Sequence, residues 1–246
     1  FGVLGASSQQ MRFISKLFPA CFFVAVAFYS SAQPGGVGGS RLWLKANTGT
    51  TLSPTVEVQQ WNDQSGNALH VTQGTVAKRP TFQSNRLNFN PSILFTASAS
   101  QEMTRAAGIV GGATYNNFNV FLVSRATSVS NSSVFYETQS GGGGRINAHI
   151  PWGDGNLYWD AGTASSPNRL FTGWTGSTGQ NFLWSLMSSN SGTTPSGQKQ
   201  DIYKNGLLLA SDNDMAAFTG NNSPFYVGSL AGSSYLDGEI SELIIY

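Results

Sequence analysis

The stretch that decides the fold is Asp201-Ile202-Tyr203-Lys204-Asn205-Gly206-Leu207-Leu208-Leu209-Ala210-Ser211-Asp212. It is followed by Phe225-Tyr226-Val227-Gly228-Ser229-Leu230 and by Leu236-Asp237-Gly238-Glu239-Ile240-Ser241-Glu242-Leu243-Ile244-Ile245-Tyr246. Asn205-Gly206 supplies the two positive-φ positions of a type I′ turn, whose twist matches the strands on either side. Counting outward from that turn sets Tyr203 against Leu208 and Ile202 against Leu209, apolar against apolar. The next two runs read as a strand, a turn around Leu236-Asp237-Gly238 and a closing apolar strand, which is how an antiparallel sandwich ends.

Upstream the theme repeats. Phe118-Asn119-Val120-Phe121-Leu122-Val123-Ser124-Arg125 is the clearest central strand, long, β-branched and aromatic. Asn181-Phe182-Leu183-Trp184-Ser185-Leu186-Met187 pairs in pattern with the hairpin across a polar loop. Shorter strands are expected at residues 41–46, 56–61, 69–72, 79–82, 92–96, 133–139, 145–150 and 156–160, with Gly141-Gly142-Gly143-Gly144 as a hairpin tip. About a dozen or more strands at a spacing of roughly 8–12 residues suit a sandwich. The one place for a short helix is around residues 101–108. No period of solenoid or propeller length is visible, so residues 34–246 read as a single domain. The fold class is all-β, a two-sheet antiparallel jelly-roll sandwich.

Composition agrees. Of 246 residues only 10% are charged, 13 Lys+Arg against 12 Asp+Glu; glycine numbers 29 and aromatics reach 12%. Long helices would want more Ala, Glu and Lys. With a net charge near zero there is no electrostatic footprint for nucleic acid. Met11-Arg12-Phe13-Ile14-Ser15-Lys16, then an apolar run to Tyr29, then Ser30-Ser31-Ala32, reads as a signal peptide over residues 11–33, too short for a membrane span. Residues 1–10 read as an upstream extension foreign to the natural protein. Removing Arg12 and Lys16 leaves 11 basic against 12 acidic residues, about −1. Cys21 lies within the apolar run, so the exported domain carries no cysteine and relies on its core. No membrane insertion is expected after signal removal.

Two stretches together carry a family resemblance. Leu42-Trp43-Leu44-Lys45-Ala46-Asn47-Thr48-Gly49 with Val58-Gln59-Gln60-Trp61-Asn62-Asp63-Gln64-Ser65-Gly66-Asn67 resembles the entry of laminin-G-like (concanavalin A-like) domains of secreted bacterial surface proteins. The hairpin at 202–210, Tyr226-Val227-Gly228 and the closing strand at 236–246 resemble the exit of the same domain. The resemblance implies a two-sheet jelly roll, an extracellular place at the cell surface, and further domains downstream of Tyr246.

Glucanases of this fold set two or three acids on alternate strand positions, and retaining chemistry needs two carboxyls about 5 Å apart. The close acid pair on an apolar strand is Glu239 and Glu242. A spacing of three puts them on opposite faces of a regular strand, so without a bulge they cannot flank one bond. His70 and His149 have no Gly-x-Ser-x-Gly elbow or zinc-spaced partners and read as structural. No catalytic residue is assigned. The ligand-binding candidates lie in Pro151-Trp152-Gly153-Asp154-Gly155-Asn156-Leu157-Tyr158-Trp159-Asp160: Trp152, Asp154, Asn156, Tyr158 and Trp159. Aromatic planes stack on the apolar face of a sugar while carboxylates and amides take its hydroxyls. Trp159 alternates with Leu157, which also suits a core position, and Gly153-Asp154-Gly155 also suits a plain turn. Calcium is the second ligand class open to these loops. Asp154, Asp160 and loop carbonyls offer hard oxygens, with Asp63, Asp212 and Asp214 as rivals, and no EF-hand spacing fixes a metal site. The residues around Asp63 read first as a loop capped by its own side chains. The expected function is non-catalytic recognition or adhesion with a glycan or cell-surface ligand. A glycoside hydrolase of the same fold and a structural spacer are the alternatives.

Overall fold

A computed structural model describes residues 33–139 and 143–246, together with Gly2. The upstream extension and the leader lie outside these residues apart from Gly2 and Gln33, and the glycine tip at 141–144 is described only from Gly143. In chain order the strands are β1 (Leu42–Lys45), β2 (Thr50–Leu52), β3 (Val58–Trp61), β4 (Val71–Thr72), β5 (Thr81–Leu87), β6 (Asn90–Phe95), β7 (Met103–Arg105), β8 (Thr114–Tyr115), β9 (Asn117–Ala126) and β10 (Phe135–Thr138). They continue with β11 (Arg145–His149), β12 (Asn156–Ala161), β13 (Leu170–Gly173), β14 (Phe182–Ser189), β15 (Gln200–Lys204), β16 (Leu207–Asp212), β17 (Phe218–Thr219), β18 (Phe225–Val227) and β19 (Gly238–Ile245). The helical segments among the described residues are three 3-10 turns, Pro34–Gly36, Val76–Lys78 and Ala97–Ala99. The helix expected around 101–108 is instead strand β7. Met103 is fully buried there, and the backbone of β7 pairs with β18 and β4. Tertiary pairing outweighs a weak local helix preference.

The strands form two large antiparallel sheets and one small pair. The eight-stranded sheet runs β16-β15-β14-β9-β19-β6-β5, with β1 also on β19; the nine-stranded sheet runs β13-β12-β11-β10-β18-β7-β4-β3-β2; β17 pairs with β8. Their inner faces meet in one core that contains Trp61, Trp159, Trp184, Phe95, Phe135 and Phe225. Each such side chain contributes about 1.5–3 kcal/mol by leaving water. The fold is the all-β sandwich that the strand pattern predicts. Among the described residues no helix is long and apolar enough to cross a membrane.

Two registers differ from simple counting. In the hairpin, Asn205 and Gly206 take φ of 50° and 81°, and Tyr203 opposes Leu208 as expected. Ile202, however, opposes Ala210, because the ladder slips between Ile202 and Tyr203 and leaves Leu209 as an extra residue. In β19 the ladder with β9 slips between Ile240 and Glu242, so that Glu239 opposes Arg125 and Glu242 opposes Val123. Arg125 and Val123 are two apart on one face of β9. Glu239 and Glu242 therefore share the outer face of the eight-stranded sheet, and the opposite-face expectation is corrected by a bulge at Ser241.

At the entry, Asp63 caps its loop. Its carboxylate accepts from the backbone N–H of Trp43 and of Ser65, both at 2.9 Å, from the Leu69 N–H at 3.0 Å and from the Ser65 hydroxyl at 2.7 Å. That satisfies the donors of three segments at once and occupies both oxygens.

Candidate functional site

The candidate residues follow from strand alternation at one edge of the nine-stranded sheet. In β12, Leu157, Trp159 and Ala161 point into the core, while Asn156, Tyr158 and Asp160 point to the outer face. Trp159 is fully buried and meets Phe135 edge-on at 6.2 Å between ring centres. It is a core residue, and its place among the ligand-binding candidates is corrected on that ground. Trp152, Asp154, Asn156 and Tyr158 do come together. The backbone N–H of Trp152 donates to the Asn156 carbonyl at 2.7 Å, closing the turn. Asp154 accepts from the Asn156 N–H at 2.9 Å and from the Tyr158 hydroxyl at 2.5 Å. The Tyr158 hydrogen bond holds the Asp154 carboxyl below its ordinary range and raises the Tyr158 phenol. The turn thus presents an ionised carboxylate beside an aromatic ring.

Three further residues belong to this cluster: Phe171 and Arg169, which were missed, and His149, which reads as structural from sequence. Tyr158 pairs across the sheet with Phe171 of β13 on one side and His149 of β11 on the other. Phe171 is 56% exposed, and its ring centre is 5.6 Å from that of Tyr158. The Arg169 guanidinium lies 3.7 Å over the Tyr158 ring, so one face of that ring is taken. Trp152 leans on His149 at 4.2 Å between centres. β13 is short and was not read as a strand, which hid Phe171 and Arg169; β12–β13 register, not local pattern, brings them in.

Beneath the aromatics lies a buried polar layer. Asp160, with no exposed surface, is bridged by Arg145 and Arg169, each with a nitrogen at 2.7 Å. Burial raises the Asp160 carboxyl above its ordinary value, and the two guanidiniums pull it back. His149 donates from Nδ1 to the Ser132 carbonyl at 2.6 Å, which leaves Nε2 to accept from Arg145 at 3.2 Å. Burial, with the Arg145 and Arg169 charges, lowers its pKa to about 3. It is a neutral, fixed ring that orients Trp152. Calcium does not suit Asp160, whose oxygens face two cations. Among the described residues no three His, Cys, Asp or Glu side chains gather as a metal-ligand set.

Three concavities lie away from this cluster, along the eight-stranded sheet, and two of them matter to the readings above. One, of about 510 Å³, is lined by Pro34, Val37, Phe121, Leu183, Ile244 and Tyr246 among others, with Asn119 as its polar side chain. The other, of about 230 Å³, borders Lys45, Asn47, Asn90, Ser241 and Glu242. Glu242 accepts from the Trp43 indole at 2.6 Å. Glu239 is 1% exposed, bonded to the Ser92 hydroxyl at 2.6 Å and paired with Arg86 and Arg125.

No family model and no curated protein sequence matches the chain. Among solved structures it is similar to domain 4 of AbnA, a GH43 extracellular arabinanase from Geobacillus stearothermophilus, in complex with arabinotriose. The identity is 18% and the TM-score 0.57, over 84% of this chain and 91% of that one. It is also similar to the receptor-binding domain of botulinum neurotoxin type G, at 13% identity and a TM-score of 0.53, over 85% of this chain and 48% of that one. The chain thus spans about half the length of the toxin domain it matches. At such identities the likeness is one of fold, and that fold is the β-sandwich.

Proposed function

We propose that this protein is a non-catalytic extracellular recognition module of the laminin-G-like, concanavalin A-like type. Its ligand is a carbohydrate, its place is the cell surface, and it forms part of a larger adhesion protein. The observation that carries this reading is the outer-face cluster of Trp152, Tyr158 and exposed Phe171 beside Asp154 and Asn156. Rings for stacking sit next to fixed acceptors and donors for hydroxyls, the usual make-up of a sugar site. The similarity to an arabinanase domain solved with arabinotriose adds support through the fold. The leader read over residues 11–33 supports export.

A glycoside hydrolase is the second reading, and it draws on the bulge that sets Glu239 and Glu242 on one face. Against it, Glu239 is covered and neutralised by two arginines, which suits a structural charge better than a nucleophile. A glycan array with the purified chain tests the proposal. Binding is expected, with Trp152→Ala and Phe171→Ala each lowering affinity about tenfold or more. Silence across all glycans would favour the spacer, and polysaccharide turnover lost in Glu242→Gln would favour the hydrolase.

A further inference from the structure

We propose that the glycan site extends across the outer face of the nine-stranded sheet as a track for a linear, neutral oligosaccharide, with Tyr136 and Tyr226 as a second aromatic subsite. This rests on the reading of the Trp152 cluster as a sugar site. The argument is one of register. Residues that oppose each other in a ladder point to the same side of the sheet. Asp160 opposes Asn147, Asn147 opposes Tyr136, and Tyr136 opposes Tyr226. The row continues through Thr104, Thr72, Gln60 and Thr51. Its inner neighbours, Phe135, Ile146, Trp159 and Val227, are buried in the core, so the row lies on the outer side of the sheet. Asp160 and Asn147 are themselves covered there, and the row reaches solvent from Tyr136 and Tyr226 onward. Tyr136 and Tyr226 are half-buried, with ring centres 6.2 Å apart and planes inclined at 49°, which makes a continuous aromatic surface.

From β12 to β18 there are three strand-to-strand steps, about 14 Å. A single sugar ring on the Trp152 cluster would not reach the tyrosines, whereas a chain of several units lying across the strands would. Beyond the tyrosines the row offers hydroxyls and an amide, donors and acceptors suited to sugar hydroxyls. Charge on this face favours a neutral chain. Both guanidiniums at the cluster are turned to Asp160, and Asp154 lies exposed beside Tyr158. An acidic sugar would meet the exposed Asp154 carboxylate and find the cations at the cluster already engaged.

The test is calorimetry on the full chain with cello- and arabino-oligosaccharides of two to six units, and with oligogalacturonates as the acidic counterpart. For the neutral series that binds, affinity is expected to rise about tenfold or more with length. The Tyr136→Ala/Tyr226→Ala variant should lose that gain while binding the disaccharide unchanged, and Tyr136→Phe/Tyr226→Phe, which keeps both rings, should retain most of it. A length gain that survives in the double alanine variant overturns the track and leaves the cluster reading standing. Tighter binding of oligogalacturonates overturns its neutral character. A length gain untouched by Trp152→Ala and Phe171→Ala but lost with the tyrosines overturns the cluster instead, and no binding of any oligomer overturns both.

Discussion

One peptide bond separates Tyr158, whose ring lies under Arg169 at the surface, from Trp159, whose ring is sealed against Phe135. Alternation alone gives these neighbours opposite duties, and substitution separates them. Trp159→Ala empties a core position and is expected to cost about 3–5 kcal/mol in urea unfolding. Tyr158→Ala releases Asp154 and uncovers Arg169 without opening the core, so sugar affinity should fall well before stability does. A Trp159→Ala protein of undiminished stability would remove the basis for placing that ring in the interior. Two glycines make a similar contrast. Gly228 has φ of 84°, and a Cβ there would lie 2.3 Å from the Phe95 ring, whereas Gly206, at 81°, has open space around it. Gly228→Ala therefore combines backbone strain with a core clash and should cost about 2–5 kcal/mol. Gly206→Ala carries the conformational penalty alone, about 1 kcal/mol. Thermal melts of the two variants side by side check the difference.

The bulge in β19 is an insertion in an otherwise regular strand. Ile240 points inward opposite Ser124, Glu242 outward opposite Val123, and Leu243 inward opposite Leu122. Ser241 is the residue without a partner in that ladder, although its carbonyl accepts from the Ala46 N–H at 2.9 Å. Deleting Ser241 should leave every other side chain on its present face and cost about 1–2 kcal/mol for that bond and local repacking. Deleting Phe121 from the regular β9 turns half of a central strand inside out and should abolish folding. Soluble expression and circular dichroism of the two deletions distinguish them, and an unfolded Ser241 deletion would show that the bulge is required. This element also marks what sequence can reveal. The Asn205-Gly206 turn and the alternation of β9 are local patterns, and each was legible. The alternation of β12 was visible too, but it left Trp159 open between core and ligand, and burial decides for the core. The bulge was not: Ser241 needs no positive φ and carries no turn chemistry, so only pairing with β9 exposes it. Phe171 and Arg169 were hidden for the same reason. They become site residues through the register of β13 on β12, and a four-residue strand with one buried position carries little pattern.

Across the whole molecule, two buried titratable groups on different sheet faces give stability opposite slopes with pH. Glu137 lies inward, takes a hydrogen bond from the Ile109 N–H at 2.7 Å, and has a second oxygen with no partner. Burial pushes its pKa up from an ordinary 4.5 to about 7, against the pull of the Arg41 and Arg105 charges. His149 is pushed the other way, from 6.5 to about 3. The sign follows from which state holds the proton. Between pH 4.5 and 7 the unfolded chain gives up the Glu137 proton while the fold keeps it, so this group costs stability as pH rises. Between pH 6.5 and 3 the unfolded chain gains the His149 proton while the fold refuses it, so this group costs stability as pH falls. From about pH 4.5 to 6.5 the two slopes, each near 1.4 kcal/mol per pH unit, oppose and largely cancel. The contribution of the pair is then a plateau, with an acid limb below pH 4.5 that belongs to His149 and a short alkaline step near pH 7 that belongs to Glu137. Glu137→Gln should remove the alkaline step and expose a rise in stability from pH 4.5 to 6.5. His149→Gln should remove the acid limb and expose a fall over the same interval. Urea unfolding of the three proteins from pH 3 to 9 reads both slopes, and single variants with profiles parallel to the parent would remove these two groups as its cause.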